Sequence, residues 1–138
     1  MWGSLDIPTS GMIAQRTRLE VIAANIANRS SILDAQGNYN PYRRRAAEFA
    51  PGDPSASTPG GRALGVHVAS ISIVEHALRS KWDPTSPYAD KAGYVSIPDI
   101  DPVIEQVNAL EASRAYEANV AAAEAIKATM AQALRLLA

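Results

Sequence analysis

The stretch Ala112-Ser113-Arg114-Ala115-Tyr116-Glu117-Ala118-Asn119-Val120 sits midway along a C-terminal segment that no Gly or Pro interrupts after Pro102. Asp101 suits a helix N-cap, and Pro102 suits the first helical position. Val103, Val107 and Leu110 open an apolar stripe. Tyr116, Val120, Ala123, Met130, Leu134 and Leu137 continue it, with Ile126 beside the Lys127 position. Steps of three and four alternate, as in a coiled-coil seam. The phase shifts between Leu110 and Tyr116, which reads as a stutter or a change of partner. The pattern predicts one helix of about 36 residues, roughly 54 Å long at 1.5 Å per residue.

A second helical stripe lies at the other end of the chain. Leu5, Met12, Leu19 and Ile26 recur every seven residues, with Ile22 and Ala23 between them. This helix is expected to start near Ser4 or Ser10 and to end at Asn28. Gly11 weakens it by roughly 1 kcal/mol relative to Ala, and Pro8 is tolerable only in a first turn. Its length, about 28–37 Å, is well short of the C-terminal helix. An antiparallel hairpin of the two leaves part of the longer helix bare. Six large side chains of the C-terminal stripe contribute roughly 10–18 kcal/mol if fully buried. Ordering the backbone costs about 1–2 kcal/mol per residue, which is more. The end segments are therefore expected to be labile in a monomer and to order on assembly.

Between the helices the sequence changes character. Asp34 to Pro41 carries a turn signal, Gly37-Asn38. Tyr42 to Phe49 reads as a strand, with one face made cationic by Arg43-Arg44-Arg45. Pro51 to Gly61, rich in Pro, Gly and Ser, reads as a flexible loop. Leu64, Val66 and Val68 alternate, and Ile71 and Ile73 follow with a slip in phase. That pattern fits one strand with a bulge or kink, or two short strands. Leu78 to Trp82 is a weaker strand candidate, followed by a turn-rich connector to Tyr88. Gly93-Tyr94-Val95 then leads to Pro98. The expected fold class is α+β: N- and C-terminal long helices form an antiparallel coiled-coil-like pair flanking a small β-rich insert. The segments are residues 1–30, an N-terminal assembly helix; 31–99, the loop and insert; and 100–138, a C-terminal assembly helix.

Composition narrows function by exclusion. The 138 residues carry a net charge of -1, which gives no electrostatic reason to bind nucleic acid or an anionic membrane. There is no Cys, so thiol catalysis, disulfides and thiolate metal sites are ruled out. Much of the 47% apolar content is Ala, with one Phe, Phe49, so the core is expected to be thin. No apolar run is long enough for membrane insertion. Met1 to Pro8 lacks the basic and apolar regions of a cleavable secretory signal. His67 and His76 stand nine apart, outside any metal-ligand spacing. Gly60-Gly61-Arg62 lacks the Lys-Ser/Thr of a phosphate loop, and no G-x-S-x-G elbow occurs. Glu105, Glu111 and Glu117 form no compact cluster. The arginine run near Tyr39 and Tyr42 reads as a solvated or intersubunit-pairing strand rather than a nucleic-acid contact. No enzyme activity and no cofactor are expected.

Four places then carry a family resemblance. Ala23-Ala24-Asn25-Ile26-Ala27-Asn28 resembles the N-terminal motif of flagellar rod and hook proteins, and Ala112 to Val120 resembles their C-terminal motif. Trp82-Asp83-Pro84 through Ala89-Asp90, with Gly93-Tyr94-Val95 and Pro98 to Asp101, resembles the segment that marks the proximal rod FlgC family. Tyr42-Arg43-Arg44 to Phe49 also fits. The resemblance covers nearly the whole chain and implies a structural subunit. Its terminal helices would pack into a hollow rod that transmits torque. Its partners would be copies of itself and other rod proteins, and it would leave the cell through the flagellar type III export apparatus. Arg29 to Asp34 and the Pro51 to Gly61 loop depart from the family pattern.

The residues assigned to the assembly interface are Leu19, Ile22, Asn25, Ile26 and Asn28 on the first helix. On the second they are Arg114, Tyr116, Asn119, Val120, Ile126, Met130, Leu134 and Leu137. Asn25, Asn28 and Asn119 can fix register across a seam by donating and accepting hydrogen bonds. For Asn28 the alternative is that it ends the helix. Tyr116 reads as plain core, and Arg114 and Glu117 as an interchain pair or a solvated face. Glu111–Arg114 and Glu124–Lys127 are expected i,i+3 pairs. Other readings are a different rod or hook-family subunit, or a soluble helical adaptor docking on one partner protein.

Overall fold

A computed structural model describes residues 3–137, so residues 1, 2 and 138 of the expected terminal segments lie outside the described residues. The fold is α+β. Helix α1 spans Gly3–Ala27, strand β1 Arg45–Pro51, helix α2 Pro59–Leu64 and strand β2 Val66–Ile73. Strands β3, Leu78–Trp82, and β4, Tyr94–Pro98, follow, and helix α3 runs Pro102–Leu137.

The helix at the C-terminus begins as its sequence dictates. Val103 N–H donates to Asp101 Oδ1 at 2.8 Å, and Glu105 N–H donates to the Asp101 carbonyl at 3.0 Å. The capping carboxylate thus satisfies one donor that the first turn leaves without a partner, while the Asp101 carbonyl accepts the first helical bond. At the other end of the chain, α1 starts at Gly3 and carries Pro8 inside it. The expectation that Pro8 belongs to a first turn is corrected. Pro8 is buried, and this packing offsets the one ladder bond its missing N–H forgoes. α1 closes at Ala27. There Asn28 donates its side-chain amide to the Ala24 carbonyl at 2.9 Å and accepts from the Ser31 hydroxyl at 3.1 Å. Within the chain, Asn28 ends the helix.

The two long helices pack antiparallel, and the contacts recur every seven residues along α1. Asn25 meets Glu105, Arg18 meets Glu111, Gly11 meets Asn119, and Ser4 lies beside Ile126. The buried apolar positions are few and mostly small: Ala14, Val21 and Ile22 on α1, Ala112 on α3, and Ala77, Val95 and Ile100 near the strands. Small side chains let the helices approach closely but bury little area each.

The strands form two antiparallel ribbons, β1 with β2 and β3 with β4. In the first, Glu48 faces Ser70 while Phe49 faces Val68, so Ala69 is the extra residue of a bulge. The phase slip between Val68 and Ile71 marks this bulge within a single strand. The expected strand from Tyr42 is corrected to one that starts at Arg45, because the side chains of Tyr42 and Arg44 just before it are taken by Asn25 of α1 and Glu105 of α3. The expected flexible loop, Pro51 to Gly61, is corrected in its second half. Thr58 accepts from Gly61 N–H at 3.1 Å and Pro59 sits at the first turn, so α2 begins there. Gly52 turns with φ +82°, and a Cβ there would stand 2.7 Å from the Arg62 carbonyl oxygen. Only Gly fits both demands.

Candidate assembly interface

The last turns of α1 bring the motif Ala23 to Asn28 against β1 and α3. Asn25 is 1% exposed, and all four hydrogen-bonding positions of its amide are filled. Its Nδ2 donates to the Arg45 carbonyl at 2.9 Å and to Glu105 Oε2 at 3.1 Å. Its Oδ1 accepts from Arg45 N–H and from the Tyr42 hydroxyl, both at 3.0 Å. Two of these bonds reproduce what a neighbouring strand would offer Arg45. Asn25 therefore closes the outer edge of β1 at its first residue.

Glu105, also 1% exposed, is the other half of this knot. The Arg44 guanidinium reaches Glu105 Oε1 with Nε at 2.8 Å and Nη2 at 2.6 Å. A carboxylate in a low-dielectric interior needs such partners, and Arg44 with Asn25 supplies them. The arginine run is thereby divided. Arg44 pairs inside the chain, Arg45 lies 5.6 Å from the Tyr42 ring centre, and Arg43 is exposed. The reading of one solvated or intersubunit cationic strand face is corrected for Arg44, because its guanidinium pairs with Glu105 inside the chain. Tyr39 does similar work on the second ribbon. Its hydroxyl accepts from Ser96 N–H at 3.0 Å and donates to the Ser96 carbonyl at 2.9 Å, and its ring stacks on Tyr88.

About four turns further up α1, Gly11 faces Asn119. A Cβ at Gly11 would stand 2.6 Å from Asn119 Oδ1 and 2.8 Å from its Cγ. The glycine is a notch for that side chain, which is held by donating to the Ala115 carbonyl at 2.8 Å. Ser10 beside it is buried and accepts from Val66 N–H at 3.0 Å, fixing the start of β2 to α1. Asp6 accepts a hydrogen bond of 2.5 Å from Thr58, the cap of α2.

The residues assigned to assembly thus divide. Ile22 and Asn25 are buried inside the chain, and Asn25 has no polar atom left for a neighbour. Leu19, Ile26, Asn28, Asn119, Val120, Ile126 and Met130 are half-buried, and Arg114 is exposed. Tyr116, Leu134 and Leu137 are exposed, the last two at 63% and 81%. Leu134 and Leu137 lie past the start of α1, as the difference in helix length requires. The stripe Val103, Val107 and Leu110 stays more than half exposed: these residues and Ile104 face away from α1. The phase shift between Leu110 and Tyr116 is the change of face. In the first turns the inward side is made instead by Glu105, Asn108, Ala109 and Ala112.

Sequence reasoning missed Glu105 and Tyr42 as structural residues. A signal was present: Glu105, Ala112, Asn119 and Ile126 recur every seven residues on one side of α3. Among the described residues the ion pairs are Arg16–Glu20, Arg18–Glu111 and Arg44–Glu105. The expected Glu111–Arg114 and Glu124–Lys127 pairs are not among them. Arg18 of α1 takes Glu111, and an exposed i,i+3 pair gains too little in water to hold its geometry. His67 Nδ1 donates to the Gly52 carbonyl at 2.6 Å, while His76 occupies a turn at φ +55°. No group of three metal-ligating side chains occurs among the described residues, and none of their helices is long and apolar enough to cross a membrane.

The two helical ends define a class. Residues 5–30 match a family model described as flagella basal body rod protein, and residues 91–136 match one described as flagellar basal body rod FlgEFG protein C-terminal. Whole-length relatives narrow the class. The chain is 37% identical to the flagellar basal-body rod protein FlgC of Borreliella burgdorferi, over 99% of this chain and 97% of the relative. The FlgC of Bacillus subtilis is 34% identical, over 96% and 95%, and that of Salmonella typhimurium 37%, over 95% and 93%. The chain belongs to the FlgC family of flagellar basal-body rod proteins.

Proposed function

We propose that this chain is a structural subunit of the bacterial flagellar proximal rod. It polymerises through its terminal helices into the hollow shaft that transmits torque, beside copies of itself and other rod proteins. It reaches that place through the flagellar type III export apparatus. The observation that carries this is the uncovered side of α3: Val103, Ile104, Val107 and Leu110 are each more than half exposed, at 64%, 57%, 61% and 52%. Completing their burial would contribute roughly 1 kcal/mol each, which favours association. The bare end of α3 at Leu134, Leu136 and Leu137 adds a second contact of the same kind. The seven-residue recurrence of α1–α3 contacts supports a coiled-coil-like pair as the unit that repeats.

The test is genetic and structural together. Deletion of the gene should leave basal bodies without a complete rod, seen by electron microscopy, and should abolish swimming. Intact rods in the deletion strain would defeat the reading. Replacing Val103, Val107 and Leu110 together by Ser should leave the purified chain folded but stop rod formation.

A further inference from the structure

The β3–β4 ribbon carries a surface that nothing above uses. Arg79 and Lys81 stand two apart on β3, so they project from the same face, roughly 7 Å apart. Their partners across the ribbon are Ile97 and Val95. This face, Arg29 just after α1, and Ile32 enclose a cleft of about 410 Å³. Arg29, Arg79 and Lys81 are all exposed, and none belongs to an ion pair among the described residues. One carboxylate, Asp83, lines the cleft, and it is engaged by the Thr85 hydroxyl at 2.8 Å. The cleft is thus cationic at its lip with apolar side chains behind, and it suits a partner that is acidic and apolar along one line.

The same chain offers such a line. Val103, Leu110, Glu117 and Glu124 recur every seven residues along the side of α3 away from α1. All four are exposed, and neither glutamate belongs to an ion pair among the described residues. Apolar side chains fill the first half of the line and carboxylates the second, with Glu117 and Glu124 about 10.5 Å apart along the helix. We infer that the Arg29–Arg79–Lys81 cleft of one copy receives the Glu117–Glu124 flank of α3 from a second copy. This rests on the rod-subunit reading and names one contact within it. The two patches differ, so the contact is heterologous, the kind from which an extended helical polymer can be built. The lip sets orientation and excludes cationic surfaces, while the apolar stretch beside it gives burial.

The experiment complements a deletion strain with full-length variants. Arg79→Glu/Lys81→Glu and Glu117→Lys/Glu124→Lys should each lower the yield of complete rods at least about tenfold, because like charges then meet. Combining all four changes should recover most of the yield. Circular dichroism of each purified variant should be unchanged, since all four side chains are exposed. Normal rods from either double variant would overturn the inference. So would loss in the Arg79/Lys81 variant with no loss in the Glu117/Glu124 variant, because another partner would then fill the cleft. Failure of the four-fold variant to exceed the doubles would also overturn it. Rods in the uncomplemented strain would instead overturn the rod-subunit reading itself.

Discussion

Asn25 shows how much one side chain can be asked to do. Its amide joins α1 to the first residue of β1, to Tyr42 and to the buried carboxylate of Glu105. Asn25→Ala removes four hydrogen bonds and strands buried partners, which should cost about 3 kcal/mol or more in urea denaturation. Asn25→Asp should cost more, since it sets a second carboxylate against Glu105. Gly11 poses a sharper test. On an isolated helix Gly→Ala gains about 1 kcal/mol, yet here the added methyl meets Asn119. Gly11→Ala alone should destabilise, and in an Asn119→Ala background the same change should stabilise. A double-mutant cycle on thermal unfolding reads that reversal of sign. Glu48 supplies a pH signature. Hydroxyl donors Ser72 and Ser70 hold its carboxyl below the usual carboxylate range. A depressed folded-state value means the contribution is present above the unfolded pKa and is lost as pH falls through the folded one. Ser72→Ala should move the Glu48 titration upward, as followed by carboxyl-carbon NMR.

At the scale of elements, what the sequence made legible depended on whether the controlling signal was local. The start of α3 was legible because a cap and a proline at its first position act within one turn. The bulge in β2 was legible because alternation is a local record of which face is in. The helix α2 was hidden under a composition that reads as loop, although Thr58-Pro59 was the same kind of cap signal. Register of α1 on α3 was half legible. The seven-residue repeats could be counted, but the inward positions are filled by Gly11, Asn25, Glu105 and Asn119, which no hydrophobic pattern selects. Their roles exist only once residues some eighty or a hundred apart meet. Of the candidate site, the bare C-terminal turns and the change of face at Tyr116 were foreseeable from length and phase. The inward turn of Asn25 was not.

The whole molecule is built from unequal parts, and the inequality has a measurable consequence. α1 has 25 residues and α3 has 36, so about 11 residues of α3, some 16 Å, have no counterpart in α1. Near Asn25 and Glu105 the helices are held by buried hydrogen bonds and by β1. At the far end α3 has only Ser4 and its neighbours beside Ile126 and Met130. Local stability should therefore fall along α3 from its N-terminus to its C-terminus. In the purified monomer, amide exchange should be slowest around Glu105 to Ala112 and fast beyond Ala133. The same amides should become protected in isolated rods, because a neighbour then covers Leu134 and Leu137. Uniform protection in the monomer would contradict this account. Truncation after Ala133 separates the two roles of the helix. Leu134 to Leu137, the described residues it removes, are exposed in the single chain, so the unfolding midpoint should change little. It also removes the overhang that a neighbour would cover, so rod yield should fall. A truncation that melted the monomer and spared the rods would mean that the far end of α3 serves the fold of its own chain rather than assembly.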